Sequence, residues 1–253
     1  MLPHEPEFYR ALLVGWVVLA AALVPVLLFI TAPYGRFARR GWGPALPARV
    51  SWVLMESPTI LVVAALFVVG RHKSLVHVVF LVLWNVHYVH RTLVYGMRVR
   101  SERRMPVLLV ASALFFNVVN GYLQGRYLFT LGPEAAAAWL ADPRFLAGLA
   151  LFAGGLGVNT WADNALRRLR KPGESGYRVP RGGLFEWVSC PNYLGETVEW
   201  CGWALLTWSP AGLAFAAWTA ANLVPRAIAT HRWYRKEFPD YPPHRRAILP
   251  FVL

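Results

Sequence analysis

The sequence predicts an all-α membrane protein with seven transmembrane helices, and three observations carry that expectation. Of 253 residues, 57% are hydrophobic and 15% charged, against about 45–50% and about 25% in soluble domains. Mean hydropathy is +0.40, and the apolar residues fall into runs close to the roughly 20 that cross a bilayer as a helix. Within those runs there is no strand-like alternation, and a helix satisfies its own backbone in lipid. The third observation is the placing of the basic residues on alternate loops. The apolar excess excludes intrinsic disorder, and two cysteines (Cys190 and Cys201) exclude a disulfide scaffold. Their spacing matches neither a metal site nor a redox pair.

The first span covers approximately 9–30, including twenty residues without a charge from 11 to 30. A cleaved signal would have an apolar run of about 7–15 residues and a small-residue cleavage site. Here the run is longer and follows His4, Glu5 and Glu7. The second span, 50–70, is apolar except for Glu56. The third, 74–95, opens with seventeen residues that hold no formal charge but three histidines. The fourth (105–126) and fifth (145–166) are again apolar. Residues 200–225 form a double-length run broken at Ser209-Pro210-Ala211-Gly212. That break gives a sixth span at 190–208 and a seventh at 211–232. The expectation is one seven-helix membrane domain over 1–253, without internal repeats. The longest polar stretch, 163–186, contains Lys171-Pro172-Gly173 and Arg181-Gly182-Gly183, which read as turns.

Charge sets the orientation. Of 26 Lys and Arg residues, 18 lie in the loops after spans one, three and five and in the C-terminal tail. Five lie on the opposite side: Arg10, Arg71, Lys73, Arg126 and Arg144. The positive-inside rule then puts the N-terminus outside and the C-terminus in the cytosol. The net charge of +13 is met equally by topology alone or by topology plus arginines that hold a phosphorylated ligand. Basic residues scattered over short loops exclude nucleic acid. The expected location is the cytoplasmic membrane in a bacterium or the endoplasmic reticulum in a eukaryote. Three lysines against 23 arginines hint at a GC-rich, bacterial source.

Ionisable groups in an apolar span are costly, about 2.5–3.5 kcal/mol at the bilayer centre, so they face an interior and serve a function. Four of thirteen acids lie in or at the spans: Glu56, Asp163, Glu196 and Glu199. Helical spacing groups them with other polar residues. Trp52 and Glu56 are i, i+4; Tyr88, Arg91 and Tyr95 are i, i+3, i+7. Asn159 and Asp163 share a face that continues to Arg167 and Arg170, and Asn192, Glu196 and Glu199 form the fourth stripe. Two readings compete, a shared interior cavity and interhelical hydrogen bonding of the kind that joins membrane helices. Gly154-Gly155-Leu156-Gly157 lies inside a span with no preceding strand, so it reads as helix packing rather than a dinucleotide fingerprint. His87 and His90 are i, i+3, but seven scattered histidines do not supply a metal box. No metal is expected.

Several motifs then carry a resemblance: His87-Tyr88-Val89-His90-Arg91-Thr92, Leu169-Arg170-Lys171-Pro172-Gly173-Glu174, Gly182-Gly183-Leu184-Phe185 and Pro191-Asn192-Tyr193-Leu194-Gly195-Glu196 through Glu199-Trp200. To these the tail adds His231-Arg232-Trp233-Tyr234, Tyr241-Pro242 and Ile248-Leu249-Pro250-Phe251. Together they resemble the steroid 5α-reductase family, from about Tyr34 to the C-terminus, the likeness weakening in the first span. The Asn-Tyr-Leu-Gly-Glu element by itself also resembles sterol reductases and isoprenylcysteine-type methyltransferases.

The resemblance implies a seven-helix membrane reductase that uses NADPH to saturate the 4,5 double bond of a 3-oxo-Δ4-steroid; a monomer is expected. It implies that Glu56 and Tyr88 hold the 3-keto oxygen. It places cofactor contacts on Tyr34, Trp52, Arg91, Tyr95, Asn159, Asp163, Arg170, Asn192, Glu196, His231 and Tyr234. Residues 97–105 depart from the family pattern, so the sequence does not single out Arg98, Arg100, Arg103 or Arg104 for a phosphate. The chemistry agrees with the residue types. Hydride delivery to the β-carbon of an enone builds charge on the carbonyl oxygen, which aimed donors stabilise. Tyr88 donates through its hydroxyl, and Glu56 donates when protonated, the form that apolar surroundings favour. Two other classes stay open on the residues alone: an S-adenosylmethionine-dependent methyltransferase acting on a prenylated or lipid substrate, and a non-enzymatic lipid-binding or transport protein.

Overall fold

The structure, a computed structural model, describes residues 4–33, 35–37, 41–98, 104–169 and 176–253. Among them are seven long helices: α1 (Glu5–Phe29), α2 (Ala48–Val69), α3 (Leu75–Val89), α4 (Val107–Arg126), α5 (Pro143–Arg168), α6 (Pro191–Thr207) and α7 (Pro210–Glu237). Each overlaps one expected segment, and the last runs past residue 232. A π-helical turn, His90–Tyr95, prolongs α3 toward Gly96–Arg98, and another, Tyr127–Leu131, prolongs α4.

Among the described residues, four helices are long and apolar enough to cross a membrane: α1, α2, α4 with its π turn, and α5. The chain is thus a helical membrane protein. Helix α1 exposes Phe8, Val14, Val18, Val26 and Phe29, as a helix that is apolar all round does against lipid. Its Glu5 and Glu7 stand in the first turn, where the helix dipole favours acids.

The chain divides into two compact units. One comprises Met1–Leu13, Pro33–Leu146 and Thr207–Ala211; the other comprises Val14–Ala32, Ala147–Leu206 and Gly212–Leu253.

In the first unit α2 and α4 begin alike. Pro47 and Pro106 each cap a helix in extended backbone, as proline does when it cannot donate into a helix. The residues around them pair as two short antiparallel strands, β1 (Ala45–Pro47) and β2 (Arg104–Pro106), with Leu46 opposite Met105. This pairing has no periodic signature at three residues per strand. Further along, Gly121 and Gly125 let the helices approach. A Cβ at Gly125 would stand 3.0 Å from Leu66 Cβ, and one at Gly121 would stand 3.2 Å from Val62 Cγ1. Asn117 donates from Nδ2 to Met55 O. The N-terminal turn is held by an Arg126–Glu5 ion pair and by Tyr9 Oη donating to Leu123 O at 2.9 Å.

Asp142 caps α5. Its Oδ1 accepts the Arg144 backbone N–H at 2.8 Å, and the Arg144 guanidinium closes on Oδ2 at 2.8 Å. Pro143 fills the first helical position, where its missing N–H is harmless. Hydrogen bonds from the Arg144 side chain and backbone draw the Asp142 carboxyl from 3.8 down to about 2. A depressed acid stabilises the folded cap above its unfolded value and loses that contribution as pH falls through the folded one. The Arg144 amide shift is therefore expected to move between pH 3.8 and about 2. An Asp142→Asn variant that kept the same transition would contradict the assignment.

In the second unit α5 and α6 run antiparallel in backbone contact. A Cβ on Gly148 would stand 2.4 Å from Leu206 N, and one on Gly202 would stand 2.4 Å from Phe152 N. One on Gly155 would be 2.4 Å from Glu199 N, and one on Gly195 would be 2.5 Å from Asn159 N. Of the glycine cluster at 154–157, Gly155 makes this contact, while Gly154 and Gly157 face open space. The turn before α6 uses Gly182 and Gly183 at φ 86° and 55°, where glycine alone is unstrained. The C-terminal tail folds back along the same segment: Ser189 N donates to Arg246 O, Cys190 N to Ala247 O and Arg246 N to Trp187 O.

Candidate functional site

The expected site residues form one group in each compact unit. In the first, the π turn ending α3 carries Arg91 and Tyr95 toward Trp52 of α2. The Arg91 Cζ lies 5.1 Å from the Trp52 ring centroid and 4.7 Å from that of Tyr95. The two rings meet edge-on at 5.2 Å and 79°. Local π-helical geometry is frequent at functional sites, and here it presents both side chains to one neighbour. Attraction between the guanidinium and both aromatic rings holds the Arg91 charge at one place beside them. One turn earlier, Tyr88 is 3% exposed and packs on Trp84 and His87, each at 4.8 Å. Glu56 lies one turn beyond Trp52 on α2, half-buried beside buried Met55.

In the second unit the glycine contact sets the remaining stripes side by side. Asn159 Nδ2 donates to Asn192 O at 2.9 Å and to Glu196 Oε2 at 3.2 Å. Asn192 Nδ2 donates to Asp163 Oδ1 at 3.0 Å. These bonds are the interhelical hydrogen bonding expected of such stripes, and they join α5 to α6 through amides and carboxylates. Glu199, the third member of its stripe, is fully buried at 0%. From α7, His231 Nδ1 reaches Ser189 Oγ at 2.7 Å, and buried Tyr234 stacks on Tyr241 at 5.3 Å and 8°.

Tyr34 and Arg170 lie outside the described residues. So do Arg100 and Arg103 of the loop that departs from the family pattern. Arg104 donates from Nε to Ala45 O at 3.0 Å, and Arg98 is exposed. Among the described residues no three His, Cys, Asp or Glu gather as metal ligands.

Two polar sets escaped sequence reasoning. Asn117, Asn120 and Gln124 are buried along one face of α4, and their i, i+3, i+7 spacing in an apolar run was a readable signal. Ser189, Tyr241 and Arg245 meet through chain reversal, which no local spacing announces. Arg245 is 1% exposed; its guanidinium donates to Pro180 O at 2.8 Å and to Glu186 Oε2 at 3.3 Å. The Gly182 N–H, and after it Arg245, hold the Glu186 carboxyl below the usual carboxylate range.

Each group, taken by itself, has a distinct binding chemistry. The Asn159–Asn192–Asp163–Glu196 cluster combines carboxylate acceptors with amides, which suits ribose hydroxyls and a carboxamide. Arg91, fixed between two rings, suits an anion.

Apolar helices long enough to cross a membrane, with a ring-packed arginine in one unit and a cluster of amides and acids in the other, define a helical membrane protein that carries buried polar groups. A profile of the 3-oxo-5-alpha-steroid 4-dehydrogenase family matches residues 103–253. A steroid 5-alpha-reductase of Gossypium hirsutum is 42% identical over 263 aligned residues, covering 100% of both chains. The 3-oxo-5-alpha-steroid 4-dehydrogenase 1 of Bos taurus is 43% identical with 90% of each chain covered, and that of Homo sapiens is 42% identical with 87% of this chain and 85% of its own. The chain belongs to the steroid 5α-reductase family of oxidoreductases.

Proposed function

We propose that this protein reduces the 4,5 double bond of 3-oxo-Δ4-steroids to 5α-dihydrosteroids with NADPH. The full-length likeness to steroid 5-alpha-reductases carries the reading, and the residue chemistry supports it. Bound NADPH supplies a hydride to C5. Glu56 and Tyr88 polarise the 3-keto oxygen: the phenol and the protonated carboxyl donate to it as it becomes an enolate oxygen. The enolate then takes a proton at C4 from water or a side-chain acid. Asn159, Asn192, Asp163 and Glu196 bind the ribose and carboxamide, Arg91 with Trp52 and Tyr95 holds an anionic portion, and Tyr34, Arg170, His231 and Tyr234 complete the cofactor contacts. Tyr88 is buried, and a hydrogen bond in such surroundings is stronger than in bulk solvent.

We further infer seven membrane crossings, with the N-terminus outside and the C-terminus cytosolic. The eighteen basic residues on one side support this. The shorter α3 and α6, 15 and 17 residues long, would cross with the help of their neighbouring turns.

The deciding assay uses detergent-purified protein with NADPH and testosterone, progesterone or cholestenone. NADPH oxidation is expected together with a 5α-dihydro product of two added hydrogens. Absence of oxidation with all three ketones, or co-purification of S-adenosylmethionine, would overturn the reading.

A further inference from the structure

Ser189 sits 3% exposed just before α6. Its Oγ lies 2.7 Å from His231 Nδ1, 2.6 Å from Tyr241 Oη and 3.1 Å from Arg246 O. A hydroxyl has one proton and two lone pairs, and a carbonyl only accepts. All three contacts are hydrogen bonds at once in a single arrangement. Ser189 donates to Arg246 O, and its two lone pairs accept from Tyr241 O–H and from His231 Nδ1–H. Two features hold the hub in place. Backbone hydrogen bonds from Ser189 N to Arg246 O at 2.8 Å and from Cys190 N to Ala247 O at 3.1 Å tie the tail to this segment. Buried Arg245 lies 5.4 Å over the Tyr241 ring, which also packs on Tyr234 at 5.3 Å and on His231 at 5.9 Å. Burial, outweighing the opposing effects of Ser189 and Arg245, raises the Tyr241 hydroxyl above its usual range. It therefore stays a donor at neutral pH.

We propose that Ser189 is a positioning residue that holds His231 in the Nδ1–H tautomer, so that the neutral ring presents Nε2 as a hydrogen-bond acceptor. The group that His231 takes is then a donor, a ribose hydroxyl or a carboxamide N–H, and not a phosphate oxygen, against which a lone pair would be repulsive. This last step rests on His231 as a cofactor contact; the tautomer does not.

The test labels the histidine ring nitrogens with 15N in the full-length protein in detergent, with the His231 signal assigned from its loss in His231→Gln. The wild type is expected to show protonated Nδ1 and unprotonated Nε2, and that spectrum decides the tautomer even if a variant misfolds. Ser189→Ala is expected to release the ring to the Nε2–H form and to raise the NADPH Kd, read by fluorescence without turnover, about fivefold to tenfold. Ser189→Thr restores both, and Tyr241→Phe keeps the Nδ1–H form. An Nε2–H wild type, or a Ser189→Ala ring still protonated at Nδ1, overturns the proposal. If the tautomer behaves as stated but His231→Gln leaves the NADPH Kd unchanged, the positioning stands and the cofactor role of His231 falls.

Discussion

Glu56→Ala is expected to lower turnover of a 3-oxo-Δ4-steroid by about 10²–10³, the loss that follows removal of one donor from an oxyanion site. Glu56→Gln should retain much more, within about tenfold of wild type, because the amide N–H still donates at the cost of roughly one hydrogen bond's strength. The comparison separates donation from charge. If Glu56 acted as a carboxylate, as a base or an ion-pair partner, the glutamine would be as damaging as the alanine. The NADPH Kd should stay near wild type in both variants, since the contacts proposed for the cofactor lie on other residues. Equal, near-complete activity of the two variants would remove Glu56 from the reaction. Full loss in both with intact NADPH binding would assign it the charged role instead.

The prominence of Glu56 was legible because the bilayer makes polar residues conspicuous. In a soluble domain a glutamate among apolar residues could face water, whereas in a span it must face an interior. The same reasoning read the stripes of α5 and α6, whose members Asn159, Asp163, Asn192 and Glu196 meet through hydrogen bonds. It did not extend to Asn117, Asn120 and Gln124, whose uncharged side chains left their span looking merely apolar. Helix count was legible from run length and from the break at Ser209-Pro210. The ends were less so: α1 begins at Glu5, inside a stretch that reads as polar. The Ser189 hub was not legible at all. Its partners His231, Tyr241 and Arg246 are 42, 52 and 57 residues away, and only the reversal of the tail brings them to one hydroxyl. The π turn at Arg91 was equally silent, since one extra residue per turn leaves no mark in an apolar pattern.

The contact between α5 and α6 makes a second large prediction, because here packing and the candidate site depend on one spacing. A Cβ on Gly195 would lie 2.5 Å from Asn159 N, 2.7 Å from Gly155 O and 3.1 Å from Asn159 Cα. These are backbone atoms, so no side chain can swing aside; the helices themselves must separate. Gly155→Ala meets the same obstacle at Glu199 N and Gly195 O. Overpacking of this kind costs about 1–3 kcal/mol, and interfaces of small residues are what hold membrane helices at short distance. Separation also stretches the hydrogen bonds from Asn159 Nδ2 to Asn192 O and Glu196 Oε2, now 2.9 and 3.2 Å. Both Gly155→Ala and Gly195→Ala should therefore lower the Tm in detergent and weaken NADPH binding together. Gly154→Ala and Gly157→Ala supply the control, since they lie on the same helix with nothing within 4 Å of the added carbon. There alanine should be neutral or stabilising by about 0.5–1 kcal/mol through its greater helix preference. Matching losses in all four variants, against a helix preference that favours alanine, would show that the α5–α6 spacing is not what the substitutions disturb. A loss of stability confined to Gly155 and Gly195, with NADPH binding unchanged, would detach the amide cluster from the cofactor while leaving the packing argument intact.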